Sequence, residues 1–269
     1  MDTNWINTNI EFEFSEKGTD CYRLTCANYL NDYFIVSNEQ SRNLMNHPEI
    51  VGYDVYKSLL DSTIQMLHYF NDKKKISCAN ILSILRGALN FPLEEACCID
   101  DITVHDISFI SCERTFNENN DVDGLATKYS KINVIPNSTL MIGDILASGE
   151  TFRQCLQKVI DCYRKQGAEL KNVVLFTIGG TKGISLLEKF TKEIREYWSD
   201  FEGFITIYYE GIFSCYEPGD KGVSGINRSL IDFIWKDGII APEFRSQTLS
   251  EQYALFEKCY YYYWGWTWR

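Results

Sequence analysis

Leu140-Met-Ile-Gly-Asp-Ile-Leu-Ala-Ser-Gly-Glu-Thr151 is the stretch on which the reading of this chain turns. An apolar run closes on one carboxylate, Asp144, and passes through a small-residue loop into an amphipathic helix. Phe152, Cys155, Leu156, Val159 and Tyr163 mark the helix at its own spacing, and Gly167 supplies a stop signal. Backbone N–H groups at such a helix start are unpaired and carry partial positive charge, so they bind phosphate well. Ser148 and Thr151 add hydroxyl donors, and Gly149 lets the backbone come close to an anion. Asp144 is placed to accept hydrogen bonds from sugar hydroxyls. The same residues also fit an aspartate in a turn followed by a Ser-capped helix, so local physics leaves both readings open.

Working outward, strands and helices alternate. Tyr56, Leu59, Leu60, Ile64 and Leu67 predict a helix over about Glu49 to Phe70, with Lys73-Lys74-Lys75 as a basic last turn. Cys78 to Leu85 reads as a buried strand running into Arg86-Gly87, Ala88 to Cys98 as a helix, and Ile102 to Ser111 as a strand. Cys112 to Thr127, polar and rich in Asn and Asp, reads as a long mobile loop. Ser138 to Leu146, Asn172 to Ile178 and Phe204 to Tyr209 read as further strands, with a helix carried by Leu187, Phe190, Ile194 and Tyr197 between the last two. The alternation predicts a doubly wound α/β fold of about five mostly parallel strands flanked by helices. Ligands sit at the carboxyl ends of such strands. That places Arg86-Gly87, Ile145 to Thr151 and Gly179 to Gly183 on one rim.

Charge narrows the partners. Against 26 Lys+Arg the 269-residue chain carries 37 Asp+Glu, a formal charge of −11. Such a surface repels phosphate backbones and anionic membranes, so neither nucleic acid nor membrane is expected as a partner. No stretch approaches the length of a spanning helix. Met1 to Glu13 carries acids and no Lys or Arg, unlike a signal peptide, so a cytoplasmic location is expected. Ten cysteines occur without a CxxC, and three histidines lie far apart, so the cysteines are expected to be free thiols serving as small hydrophobes and no metal ligand is assigned.

Gly143-Asp-Ile-Leu-Ala-Ser-Gly-Glu-Thr151 resembles the phosphoribosyl-pyrophosphate (PRPP) signature of type I phosphoribosyltransferases. Ile84-Leu-Arg-Gly-Ala-Leu89 resembles the pyrophosphate-binding loop of the uracil branch of that family. Glu113-Arg114 followed by Tyr129-Ser-Lys131 is similar to that branch's Arg-rich hairpin, which closes over substrate, and Ile178-Gly-Gly-Thr-Lys-Gly-Ile184 stands in the position of its turn after the fourth strand. The four features occur in the family's order over about residues 50 to 210.

The resemblance implies the type I phosphoribosyltransferase fold with a hood or lid. It also implies transfer of 5-phosphoribose from PRPP to a nitrogen of a base-like acceptor, such as a pyrimidine, with release of pyrophosphate. On that reading Asp144, Arg86 and Arg114 are catalytic, and Gly87, Ala147, Ser148, Gly149, Glu150, Thr151, Lys131 and Lys182 bind substrate. Mg²⁺ would be held mainly through PRPP, the other partner a small-molecule acceptor, and the assembly a homodimer.

Three departures stand out. Gly143 replaces the first acid of the signature, Glu150 replaces its second glycine, and the branch's Gly-rich base-binding segment has only Tyr216-Glu-Pro-Gly-Asp-Lys-Gly222 as a counterpart. A non-catalytic PRPP- or nucleotide-binding regulator of the same fold, or an enzyme with a different acceptor, therefore stays open. Residues 1–49 are expected to contribute a hood or dimer contact, 50–210 the core, and 211–269 a C-terminal extension. The aromatic run Tyr260-Tyr-Tyr-Tyr-Trp-Gly-Trp-Thr-Trp268 in that extension suits packing against the core or a partner subunit.

Overall fold

In the computed structural model, residues 8–47, 49–76, 78–117, 122–215, 233–247 and 254–255 are described. The segment Tyr216 to Gly222, most of Ile226 to Trp235 and the aromatic run at Tyr260 lie outside them.

The chain opens on β1 (Asn9–Glu16), β2 (Thr19–Thr25) and β3 (Asp32–Asn38), followed by α1 (Glu39–Asn46) and α2 (Tyr53–Asp72). Next come β4 (Ala79–Ile84), a 3-10 turn at Gly87–Asn90, α3 (Leu93–Ile99), and the strands β5 (Val104–Phe116) and β6 (Val122–Lys131). β7 (Ser138–Leu146), α4 (Glu150–Lys165), β8 (Leu170–Gly180), α5 (Lys182–Arg195) and β9 (Phe204–Cys215) complete the alternating part. β10 (Phe233–Ile240), α6 (Pro242–Gln247) and β11 (Ala254–Leu255) follow.

All strands among the described residues belong to one mixed sheet, in the order β1-β2-β3-β9-β8-β7-β4-β5-β6, with β10 on β9 and β11 on β10. The five strands expected from sequence are β4, β5, β7, β8 and β9. The sheet is about twice that size, because β3 joins the parallel set beside β9 while β1, β2, β6 and β10 pair antiparallel. The segment before residue 50 therefore contributes three strands to the main sheet.

The apolar spacing explains the layers. β8 is buried at almost every position, as a central parallel strand covered on both faces should be. α4 buries Phe152, Cys155, Leu156, Val159, Ile160 and Tyr163, the stripe its spacing demands. Gly167, at φ 65°, ends the turn that follows α4. The Tyr163 hydroxyl then fastens α4 to the sheet, meeting Asn80 Nδ2 at 3.3 Å and Ser138 Oγ at 3.2 Å.

Several boundaries differ from expectation. α2 stops at Asp72, so the lysines follow it: Lys74 takes φ 54°, and Lys73 Nζ sits 4.3 Å from the Tyr69 ring centroid and 3.6 Å from Glu13 Oε1. The helix expected over Ala88 to Cys98 is split, because Pro92 forces Phe91 into an extended conformation (φ −106°, ψ 122°). Within the stretch expected to be a loop, Cys112 to Phe116 and Val122 to Thr127 are strand. β5 runs on to Phe116 and β6 returns antiparallel, with Cys112 opposite Thr127 and Glu113 opposite Ala126. No helix among the described residues is long and apolar enough to cross a membrane.

Candidate active site

Three strand ends converge where β4, β7 and β8 lie side by side in parallel. β7 delivers Asp144, half-buried, opposite Thr177 of β8. Ala147 and Ser148 lead to Gly149, which takes φ 79° and caps α4 without a side chain. The first backbone bond of α4 runs from Arg153 N–H to Gly149 O at 2.8 Å, and no side chain caps the amides before it. Glu150, Thr151 and Ser148 are exposed around this helix start. Glu150 lies in the first turn, where a carboxylate favours the helix dipole.

The neighbouring loop comes from β4. Leu85 N–H donates to Ile110 O at 2.8 Å, the Leu85–Arg86 peptide is cis, and Arg86 is exposed on the rim. A Cβ on Gly87 would stand 2.7 Å from Asp144 Oδ1. The carboxylate therefore rests against the Arg86-Gly87 loop, and a larger residue at Gly87 would make it turn aside. This contact joins two motifs 57 residues apart in the chain and could not be read from either alone.

Gly143 has an equally direct explanation. A Cβ there would lie 2.3 Å from Phe91 Cβ and 2.6 Å from its Cγ. The Phe91 ring occupies the place an acid would need. Phe91, Ala88, Leu89 and Gly143 line one groove of about 200 Å³ behind the loop. A larger cavity of about 530 Å³ lies beyond α5, between Asn28 to Leu30 and Glu188 to Lys192, and none of the rim residues named from sequence lines it.

The remaining sequence-assigned residues divide. Lys182 opens α5 on the same rim and is exposed, one residue after Thr181, whose N–H donates to Phe213 O at 2.9 Å. Arg114 lies on β5 opposite Leu125, out along the antiparallel arm formed with β6. Lys131 is at the other end of β6, opposite Phe109, which pairs with Ser83. It therefore sits on the sheet edge, about 10 Å of strand short of the rim where Arg86 lies.

A buried acid that sequence reasoning missed lies at the far end of the rim. Glu210 follows the parallel part of β9 at φ 65° and is wholly buried. Its carboxylate accepts from Ser37 Oγ at 2.6 Å, from Asn38 N–H at 3.0 Å and from Ser41 Oγ. Burial pushes its pKa up to about 7, and those three donors with the Arg42 charge act against that rise. Its only sequence signal was an acid inside a Tyr- and Ile-rich strand.

No family model and no curated protein sequence matches the chain. Among solved structures it is similar to the AQ2163 protein from Aquifex aeolicus, at 18% identity and a TM-score of 0.41 over 64% of this chain and 82% of that one. Adenine phosphoribosyl transferase from Trypanosoma brucei, in complex with AMP, pyrophosphate and ribose-5-phosphate, matches at 12% identity and 0.40 over 72% and 92%. Hypoxanthine phosphoribosyltransferase from Staphylococcus aureus matches at 14% identity and 0.35 over 75% and 94%. The likeness to the uracil branch rests on the sequence motifs.

Proposed function

We propose that this protein transfers 5-phosphoribose from PRPP to a nitrogen of a small base-like acceptor, with release of pyrophosphate. The observation that carries the proposal is the contact of the Asp144 carboxylate with the Gly87 backbone, beside the uncapped start of α4. One anion-binding helix start, one sugar-binding carboxylate and one cationic loop then serve the three parts of PRPP. The first-turn amides of α4, with Ser148 and Thr151, take the 5-phosphate. Asp144 accepts from the ribose hydroxyls. Arg86 and the Gly87 backbone receive the pyrophosphate.

Transfer of this kind passes through an oxocarbenium-like state in which pyrophosphate departs with growing negative charge. Pre-placed cations and dipoles stabilise that charge, and holding the acceptor in line supplies the rest. The residues fit Mg²⁺ held mainly by PRPP oxygens, with Asp144 as the nearby protein carboxylate. The ion prefers oxygen donors and keeps few protein ligands, and it would neutralise part of the pyrophosphate charge. Arg114, carried on the β5–β6 arm, adds positive charge when the arm folds over, and Lys182 faces the acceptor side.

The second reading, a PRPP- or nucleotide-binding regulator, draws on Phe91, which leaves Asp144 as the single acid of the signature. Pyrophosphate release from PRPP and Mg²⁺ across a panel of pyrimidines, purines and amines separates the two. Turnover with one acceptor supports the enzyme. Thermal stabilisation by PRPP, about 2.7 kcal/mol at a hundred times Kd, with no release for any acceptor supports the regulator. Neither response removes both.

A further inference from the structure

Outside the rim, the β5–β6 arm and α4 meet through two cysteines. Cys112 Sγ on β5 lies 3.5 Å from Cys155 Sγ on α4, although 43 residues separate them in the chain. Cys155 is wholly buried, one helical turn past Thr151, while Cys112 is half-buried at the base of the arm. Cys112 Sγ also touches Thr127 Oγ1 of β6 at 3.6 Å, so it sits where the two strands of the arm are paired. Among the described cysteines, Cys78 and Cys98 are exposed, and Cys21 and Cys97 are buried. A disulfide needs an S–S separation near 2.0 Å, and the two sulfurs, 3.5 Å apart, are already in van der Waals contact.

We propose that Cys112 and Cys155 are a reversible disulfide site that fastens the β5–β6 arm to α4. The oxidant is a hydroperoxide such as hydrogen peroxide. It reaches Cys112 first, since Cys155 has no surface. The Cys112 thiolate attacks one peroxide oxygen, the O–O bond breaks, and hydroxide leaves, taking up the thiol proton as water. Cys155 sulfur then attacks the Cys112 sulfenic sulfur. The S–O bond breaks, and the departing hydroxyl leaves with the Cys155 proton as a second water. Two thiols are oxidised and one peroxide is reduced, so no other reactant is needed. Burial raises the Cys155 pKa well above the ordinary thiol range, which keeps Cys155 protonated and unreactive until Cys112 presents a sulfur to it.

Closing this bond ties an arm that otherwise holds to the body through strand pairing and packing. The arm is the element that carries Arg114, so the oxidised protein holds it in one position.

The test uses the full chain, reduced, freed of reductant and treated with stepwise hydrogen peroxide. Remaining thiols are then alkylated and the protein is digested with trypsin without reduction. The peptide Gln154–Lys158 contains Cys155 as its one cysteine, and Gly87–Arg114 contains Cys112 with Cys97 and Cys98. The expected product is these two peptides joined, two hydrogen atoms lighter than their sum, with fragmentation placing the bond on Cys112 and dithiothreitol releasing it. Recovery of Gln154–Lys158 in alkylated form, or joined to another cysteine, overturns the site. Hydrogen exchange at Gly124 to Thr127 should slow on oxidation in the wild type and stay unchanged in Cys112→Ser. Equal slowing in that variant, or none in the cross-linked wild type, overturns the fastening. None of these readouts uses PRPP, so they stand or fall apart from the transferase reading.

Discussion

Two helices begin on the same rim of the sheet, α1 after β3 and α4 after β7, and they begin differently. α1 is closed. Asn38 Oδ1 accepts from Ser41 N–H at 3.0 Å, Ser41 Oγ accepts from Asn38 N–H at 3.2 Å, and the buried Glu210 carboxylate meets the same residues from β9. α4 is open, capped by a glycine with no side chain, with Glu150 and Thr151 exposed in its first turn. Both ends carry the same partial charge. At α1 the protein fills the end with its own acceptors, Asn38 Oδ1 and the Glu210 carboxyl, which makes that end a fastening. At α4 the Glu150 carboxylate lies in the first turn, yet no side chain caps the first amides, which stay open to an outside anion.

The largest effect that would break this contrast lies at the closed end. Glu210→Ala leaves the Ser37, Ser41 and Asn38 donors without their buried acceptor. With three buried donors left unsatisfied, thermal or urea unfolding should show a loss of about 3 to 5 kcal/mol. A loss below about 1 kcal/mol would mean that Glu210 does not hold α1 to β9.

The same residue sets a pH dependence. Its folded pKa is raised to about 7 from the ordinary value of 4.5, with burial as the main cause. The folded state therefore binds more protons than the unfolded state between those values. The stability tied to this group is fully present below about 4.5 and is lost as pH rises through about 7. The change is about 3 kcal/mol at most. Glu210→Gln should flatten that part of the stability curve, measured by urea unfolding from pH 4.5 to 8. An unchanged slope would refute the assignment.

At the open end, Asp144→Asn should weaken PRPP binding, measured by calorimetry with Mg²⁺, by about 1.5 to 3 kcal/mol, or one to two decades. Its folding stability should be little altered. Equal affinities for wild type and variant would remove Asp144 from the site. Gly143→Asp tests the ring beside it. The new Cβ would meet Phe91 at 2.3 Å, so the variant should lose about 1 to 3 kcal/mol of stability. Much of that should return when Phe91→Ala is added. Full stability in the single variant would show that the ring moves aside freely.

The smallest effect is Asn38→Ala. Losing this cap should cost about 1 kcal/mol of stability and leave PRPP affinity unchanged. A drop in affinity as large as that of Asp144→Asn would erase the distinction between the two ends.

How much of this was legible depended on where each partner lay. The rim loops announce themselves locally: an apolar run, an acid, small residues and a helical stripe are all contained in Leu140 to Tyr163. The alternating core follows from the same short-range patterns. The N-terminal strands were not assigned, although Ile10, Phe12 and Phe14 alternate with Glu11 and Glu13 and a Lys17-Gly18 turn follows. β1 is mostly exposed, so its burial contrast is faint. The arm reads as a loop in composition because its polar residues pair across strands, which composition does not record. The Gly87–Asp144 contact, the Phe91–Gly143 fit and the Glu210 network are all long-range. Each needs the sheet order before it exists, and the order β3-β9 joins residues from opposite ends of the chain.

That pairing has a consequence for how the protein is made. Asp32 to Val36 lie beside Ile205 to Tyr209 in a parallel ladder. The β1–β2–β3 meander leaves the ribosome before β9 does, yet its place in the sheet is created only when β9 has been synthesised. Until then the inner edge of β3 presents unpaired backbone and the apolar run Tyr33 to Val36. Such non-local closure slows folding and leaves an adhesive edge exposed in the meantime. Nascent chains that end before β9 should therefore be the aggregation-prone and chaperone-dependent ones, and chains carried past Gly211 should be released from that dependence.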